Sequence, residues 1–210
     1  TSPMRESVQK ILSFRPDEVK IGKSSVTEKK QEDRVLVTVL ASGDPLCYGV
    51  ATRLLRHLPI DEICIKPALS TFSLICSRVG WSLPDIETLT LHGRPLEMLH
   101  PFVQPGAKLA VLSKDSGTPQ KTAELLVNRG FGKSEITVLE HLDGSKEKKF
   151  SGRADSWQHS AGADLNAMAI ECIPVRNADV IPRIPGLTDD AFNHDGQLTK
   201  CEIRAVVLSK

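Results

Sequence analysis

Two short segments combine a permissive backbone with polar side chains in the setting where α/β proteins bind ligands. ASGDPL at 41–46 interrupts the apolar run 35–40 just ahead of a helical pattern. There Gly43 lets a ligand approach the backbone, Asp44 accepts hydrogen bonds and Pro45 stiffens the turn. KPALST at 66–71 likewise follows an apolar run, 63–65, and places the hydroxyls of Ser70 and Thr71 at a helix start, where Ser70 serves equally well as an N-cap. Ser-Gly-Asp-Pro alone is an ordinary turn sequence; its position beyond the carboxyl end of a strand is what suggests binding.

Arg94, in the turn His92-Gly93-Arg94, is the side chain best suited to hold a carboxylate through two parallel hydrogen bonds. Arg53, Arg56 and Arg78 lie in helical patterns and read as solvated surface. His92 and His141 sit near strand ends, where a histidine either meets a substrate or is satisfied by local hydrogen bonds. No Gly-x-Ser-x-Gly elbow, dinucleotide fingerprint or P-loop occurs, which sets aside the corresponding hydrolase and nucleotide-phosphate chemistries. The five cysteines are widely spaced and mostly lie in apolar runs, so free thiols are expected, with no metal site.

Those loops need strands and helices to carry them. Residues 2–12 read as a helix opened by Ser2-Pro3, and the charged stretch 20–34 as a solvated loop. Residues 35–40 (VLVTVL) form a β-branched run typical of a strand buried on both faces. A helix is expected at 48–58, a strand at 63–65, a helix at 70–79, a strand at 86–91, a helix at 95–102 and a strand at 108–113. A helix follows at 118–128, stopped by Arg129-Gly130. Apolar runs at 136–142 and 167–173 flank a charge cluster at 146–149 and one short helical stretch at 154–161.

This alternation predicts an α/β fold: a mainly parallel N-terminal sheet over 1–104 and a smaller mixed sheet over 105–176. Residues 177–210 have linker composition followed by the start of something new. Lys plus Arg is 27 against 26 acidic residues, so the net charge of +1 provides no field for collecting nucleic acid or anionic membrane. No apolar run reaches the ~18 to 20 residues of a membrane span, and the expected setting is soluble and cytoplasmic.

Five segments, in order and spacing, carry a resemblance: ASGDPLCYG at 41–49, PALS at 67–70, TLHGRP at 90–95, VLEHL at 138–142 and DLN at 164–166. Together they resemble the precorrin-6Y branch of the tetrapyrrole methyltransferases, over 1–174. The tail from Pro185 resembles the opening of the decarboxylating methyltransferase domain fused behind it in bifunctional members. Members begin with a strand and a Gly-rich loop, so the chain is expected to be truncated at its N-terminus, and to stop too early to hold the second activity.

The resemblance implies S-adenosylmethionine as methyl donor, a precorrin as substrate, C-methylation at carbon 5 in cobalamin biosynthesis, and a homodimer. Carried over by motif, Gly43, Asp44 and Cys47 line the donor from one loop, and Ser70 and Thr71 from the next. Leu112, Ser113, Leu142, Asn166 and Ala167 complete the donor pocket. Arg94 and His92 face the substrate, and Asp44 positions the donor without acting as a base. The alternative is a truncated, non-catalytic remnant that binds donor or assists assembly.

Overall fold

The computed structural model describes residues 28–31, 34–183 and 185–209. The helix expected at 2–12 and most of the loop at 20–34 lie outside them. Two compact units divide between Thr71 and Phe72.

In the first unit, β1 (Glu28–Gln31) and β2 (Arg34–Val37) pair antiparallel, with Gln31 opposite Arg34. The end of the expected loop is therefore a strand, and the run 35–40 pairs only as far as Val37. From Val37 to Leu40 half-buried and exposed residues alternate, and Ile63 and Ile65 are half-buried on either side of exposed Cys64. Residues 37–40 and 63–65 thus have one covered face instead of two, and 63–65 is not a strand. The expected helix at 48–58 contracts to α1 (Ala51–Leu54), which buries Ala51 and Leu54 before Pro59 follows.

Helix α2 (Thr71–Val79) buries Phe72, Ile75 and Cys76 and stops at Gly80, whose φ of 72° only glycine adopts without strain. The second unit is built on one five-stranded sheet in the order β3-β4-β7-β5-β6. Its strands are β3 (Glu87–Thr90), β4 (Lys108–Leu112), β5 (Glu135–Glu140), β6 (Lys148–Arg153) and β7 (Asn166–Glu171). Only β3 and β4 pair in parallel; β7 is antiparallel to both β4 and β5, and β5 to β6. The parallel pairing expected N-terminally is therefore found between strands on either side of residues 102–108, within a single sheet.

A parallel pair needs a crossover. Here it is a 3-10 turn at Leu96–Leu99, where a helix was expected, with Leu99 and Val103 fully buried against the sheet. Helix α3 (Thr118–Asn128) matches its expected range: Pro119 lies in its first turn and Gly130 has a φ of 74° just beyond it. It lays Ala123, Leu125 and Leu126 on a core that includes Phe131, Ile136, Met168 and Ile170. Central β7 is buried from Ala167 to Ile170. The charge cluster at 146–149 leads into edge strand β6, whose charged side chains discourage pairing with another chain.

The stretch after Pro174 is fastened to this unit. Val175 N–H donates to Gly130 O at 2.8 Å, and the Gln104 amide donates to Ile181 O at 2.7 Å. Arg129, 4% exposed, donates to His100 O at 2.6 Å and to Asp179 O at 2.7 Å. Helix α4 (Cys201–Leu208) is tied to the preceding loop by buried Arg204, which donates to Leu187 O and to Asp189. All five cysteines are free, and Cys76 and Cys172 are buried. No helix among the described residues is long and apolar enough to cross a membrane.

Candidate functional site

Because β3 is parallel to β4, and β4 and β5 are both antiparallel to β7, the C-terminal ends of β3, β4 and β5 meet the N-terminal end of β7 at one edge. Open α/β sheets bind ligands beyond such carboxyl ends. Every site residue expected in the second unit lies there. Leu112 ends β4 and Ser113 follows it, Leu142 follows β5, Asn166 and Ala167 begin β7, and His92 and Arg94 follow β3. Ala167 is the register partner of both Leu112 and Leu139, and Asn166 that of Glu140.

Two polar atoms at this edge are buried without a partner: the Ser113 hydroxyl and the Asn166 side-chain oxygen. The residues are joined by Ser113 N–H to Asn166 O at 3.3 Å, while the Asn166 amide donates to Asp115 O at 3.1 Å and Ala163 O at 2.8 Å. An unmet hydroxyl and an unmet acceptor side by side are costly unless a ligand or water completes them. A ligand carrying both O–H or N–H donors and acceptors fits this pair.

The loop between Ser113 and α3 is held from several directions. Thr118 Oγ1 accepts from the N–H groups of Lys114 and Asp115, at 3.2 and 3.1 Å, and donates to Asp115 Oδ1 at 3.0 Å. Asp164 accepts the Ser116 N–H at 3.0 Å. That bond, with a second from the Ser116 hydroxyl, holds the Asp164 carboxyl below the usual carboxylate range. After β5, His141 and Asp143 take positive φ, 47° and 62°, in a turn closed by Gly144 N–H to His141 O at 2.9 Å. Arg78 grips Glu147 through two nitrogens, at 2.6 and 3.0 Å, and the Asp143 N–H donates to the same carboxylate at 2.7 Å.

His92 and Arg94 are exposed in a turn where His92 N–H donates to Thr90 Oγ1 at 3.2 Å and Gly93 has a φ of 70°. His141 is half-buried, its N–H bonded to Leu165 O at 3.1 Å.

In the first unit, Gly43 has a φ of 67°, and Asp44 Oδ1 accepts from the Leu46 N–H at 2.7 Å and the Cys47 N–H at 3.2 Å. The carboxylate thereby shapes its own loop as an Asx-turn. Gly49 is compulsory, since a Cβ there would lie 2.3 Å from Pro45 O. Cys47 is half-buried, and burial followed by the neighbouring Asp44 charge pushes its thiol up. Ser70 and Thr71 stand at the start of α2.

Sequence reasoning missed three contributors in the second unit. Asp164 and Ser116 meet across 48 residues, a pairing no local pattern announces. Glu140, 5% exposed, accepts the Ala163 N–H at 2.7 Å. A cleft of about 430 Å³ lies beside Asn166, with Phe150, Trp157 and His159 on one wall and Gln120 and Lys121 of α3 on another. The run of aromatic residues after 149 was the available signal. Among the described residues, no three His, Cys, Asp or Glu side chains converge to hold a metal.

A sequence profile described as Tetrapyrrole (Corrin/Porphyrin) Methylases matches residues 6–156. The chain is 43% identical over 173 residues to a precorrin-6Y C(5,15)-methyltransferase [decarboxylating] of a Sinorhizobium species, covering 82% of this chain and 42% of that protein. It is 32% identical over 112 residues to a cobalt-precorrin-7 C(5)-methyltransferase of Salmonella typhimurium, covering 53% of this chain and 55% of that one. A solved precorrin-6Y methylase from Archaeoglobus fulgidus is 26% identical with a TM-score of 0.41, over 62% of this chain and 59% of that chain. The chain thus spans about half the length, or less, of the curated relatives it matches.

Proposed function

Because this chain belongs to the tetrapyrrole (corrin/porphyrin) methylase family, whose profile spans residues 6–156, we propose that it serves S-adenosylmethionine-dependent C-methylation of a precorrin at carbon 5 in cobalamin biosynthesis. The names of the relatives support the substrate class. The observation that carries the donor assignment is the pair of unpartnered buried polar atoms on Ser113 and Asn166, at the carboxyl edge of the sheet.

The donor's ribose hydroxyls and amino groups match that pair in kind: Asn166 Oδ1 needs a donor, and the Ser113 hydroxyl takes either role. Leu112, Leu142 and Ala167 supply apolar surface at the same edge. The resemblance adds Gly43, Asp44, Cys47, Ser70 and Thr71 as donor-contacting positions. When bound, the donor supplies a methyl group already activated on a sulfonium. The protein's contribution is orientation and exclusion of water, a source worth ~7 to 11 kcal/mol in well-aligned systems. Asp44 is engaged by two backbone N–H groups of its own turn, which supports a positioning role over that of a base. Exposed Arg94 and His92, at the same edge as Ser113, are proposed to meet substrate carboxylates.

Calorimetric titration with S-adenosylhomocysteine tests this reading without the macrocycle. Saturable binding with a Kd of ~100 μM or tighter, roughly −5.5 kcal/mol, is the expected result. No heat from a chain shown to be folded by circular dichroism would refute the donor site. Binding without turnover of a precorrin would identify a donor-binding remnant instead of an enzyme.

A further inference from the structure

We propose that Asp164 is a positioning residue of the donor site, latching the loop 113–117 to the start of β7. The inference rests on the reading of this edge as the donor site.

The loop's other side-chain bonds are mostly its own: Thr118 and Asp115 close it from within, through contacts three or four residues apart. Such bonds set its curvature but not its distance from β7. Two side chains reach it from the β7 side, Asn166 through Asp115 O and Asp164 through Ser116 N–H. Asn166 spends its amide on three carbonyls, those of Asp115, Ala163 and Asp164. Asp164 contributes the charged bond, to the amide and the hydroxyl of Ser116 together. Hydrogen bonds to an ionised acceptor are shorter and stronger than neutral ones.

The Asp164 bond at Ser116 therefore adds a second tie, beyond the Ser113 N–H to Asn166 O bond, that fixes how the loop sits over Ser113, which opens it, and Asn166. These are the residues whose buried polar atoms lack partners. Because Asp164 is exposed, it can be altered with little effect on folding.

The test uses the full chain as wild type, Asp164→Ala and Asp164→Asn. Hydrogen exchange at the Ser116 amide reads the latch directly, and calorimetry with S-adenosylhomocysteine reads its effect on the site. Asp164→Ala is expected to speed Ser116 exchange and raise Kd by about tenfold with Tm nearly unchanged, whereas Asp164→Asn, which keeps an acceptor oxygen, stays within about twofold of wild type. Unchanged Ser116 exchange in Asp164→Ala overturns the latch. Faster exchange with unchanged Kd overturns the positioning role. Absence of binding by the wild-type chain refutes the donor site itself, a failure that the exchange measurement keeps distinct from failure of the latch.

Discussion

Ser113 and Asn166 are tied backbone to backbone at 3.3 Å, and each buries a side-chain oxygen that no other group among the described residues satisfies. Folding alone gains nothing from that pair, since an unmet buried polar atom costs ~1 to 3 kcal/mol. The arrangement makes sense if the missing partner arrives from outside.

Ser113→Ala should therefore separate stability from binding. Removing an unsatisfied hydroxyl leaves Tm unchanged or raised, while the Kd for S-adenosylhomocysteine rises by about three- to tenfold. Thermal melts and calorimetry on one preparation check both. A lowered Tm with unaltered Kd would make the hydroxyl structural.

Asp44→Ala should weaken donor binding without changing the pH dependence of activity. Its carboxylate orders the turn through Leu46 and Cys47 N–H groups, and the proposed positioning role gives it no proton to transfer. Gly43→Ala, at a φ of 67°, should have a similar effect through backbone strain of ~1 to 2 kcal/mol. Loss of one limb of the pH profile in Asp44→Ala, at unchanged affinity, would recast Asp44 as a base.

Arg129 should be the most sensitive charged position in the second unit. Its buried guanidinium reaches His100 O and Asp179 O at once, and truncation removes both charge-assisted bonds, at a cost of ~2 to 4 kcal/mol. Arg129→Lys should not restore stability, because a single ammonium cannot match the fork. In Arg129→Ala, limited proteolysis should cut first within 174–183; resistance equal to wild type would contradict the fastening role.

Cys172 should be the last thiol to react. Burial pushes it up to about 12, whereas Cys64 is exposed. Because the raised value means that the folded state holds its proton more tightly, the associated stability is complete below the ordinary thiol range and is lost as pH climbs toward 12. Cys172→Ala should flatten the fall in stability above pH ~9, and alkylation mapped by mass spectrometry should reach Cys172 only on unfolding. Early labelling of Cys172 would be inconsistent with its environment.

The Glu147 carboxyl should titrate below its ordinary value of ~4.3, held down by its hydrogen bond from Arg78 and then by the Asp143 N–H. Its contribution is present above that ordinary value and disappears as pH falls through the depressed one. Carboxyl NMR titration should show Glu147 returning toward the ordinary range in Arg78→Gln.

Much of the second unit was legible because its signals are local. Helix α3 carries an amphipathic period between Thr118-Pro119 and Gly130, and β4, β5 and β7 are apolar runs of strand length. The edge strand β6 was not legible: its lysines read as a charge cluster, because an edge buries too little to leave an apolar pattern. In the first unit, 35–40 and 63–65 have the β-branched composition of buried strands, but whether a run is covered on one face or two depends on what packs against it.

The sequence by itself determined the α/β character and the loops at 41–46 and 66–71 as candidate sites, since turn chemistry and periodicity are written in consecutive residues; the family, and with it the 112–113 position, came from the resemblance of five motifs. Only the tertiary structure decided that Asn166 belongs beside Ser113, that Asp164 holds Ser116, and that the stretch after Pro174 is bound down by Arg129 and Gln104. Those partners are 48 to 77 residues apart. The Ser113–Asn166 and Ser116–Asp164 pairs meet because β7 inserts between β4 and β5, a pairing order set by burial of the whole sheet and not by any segment of it.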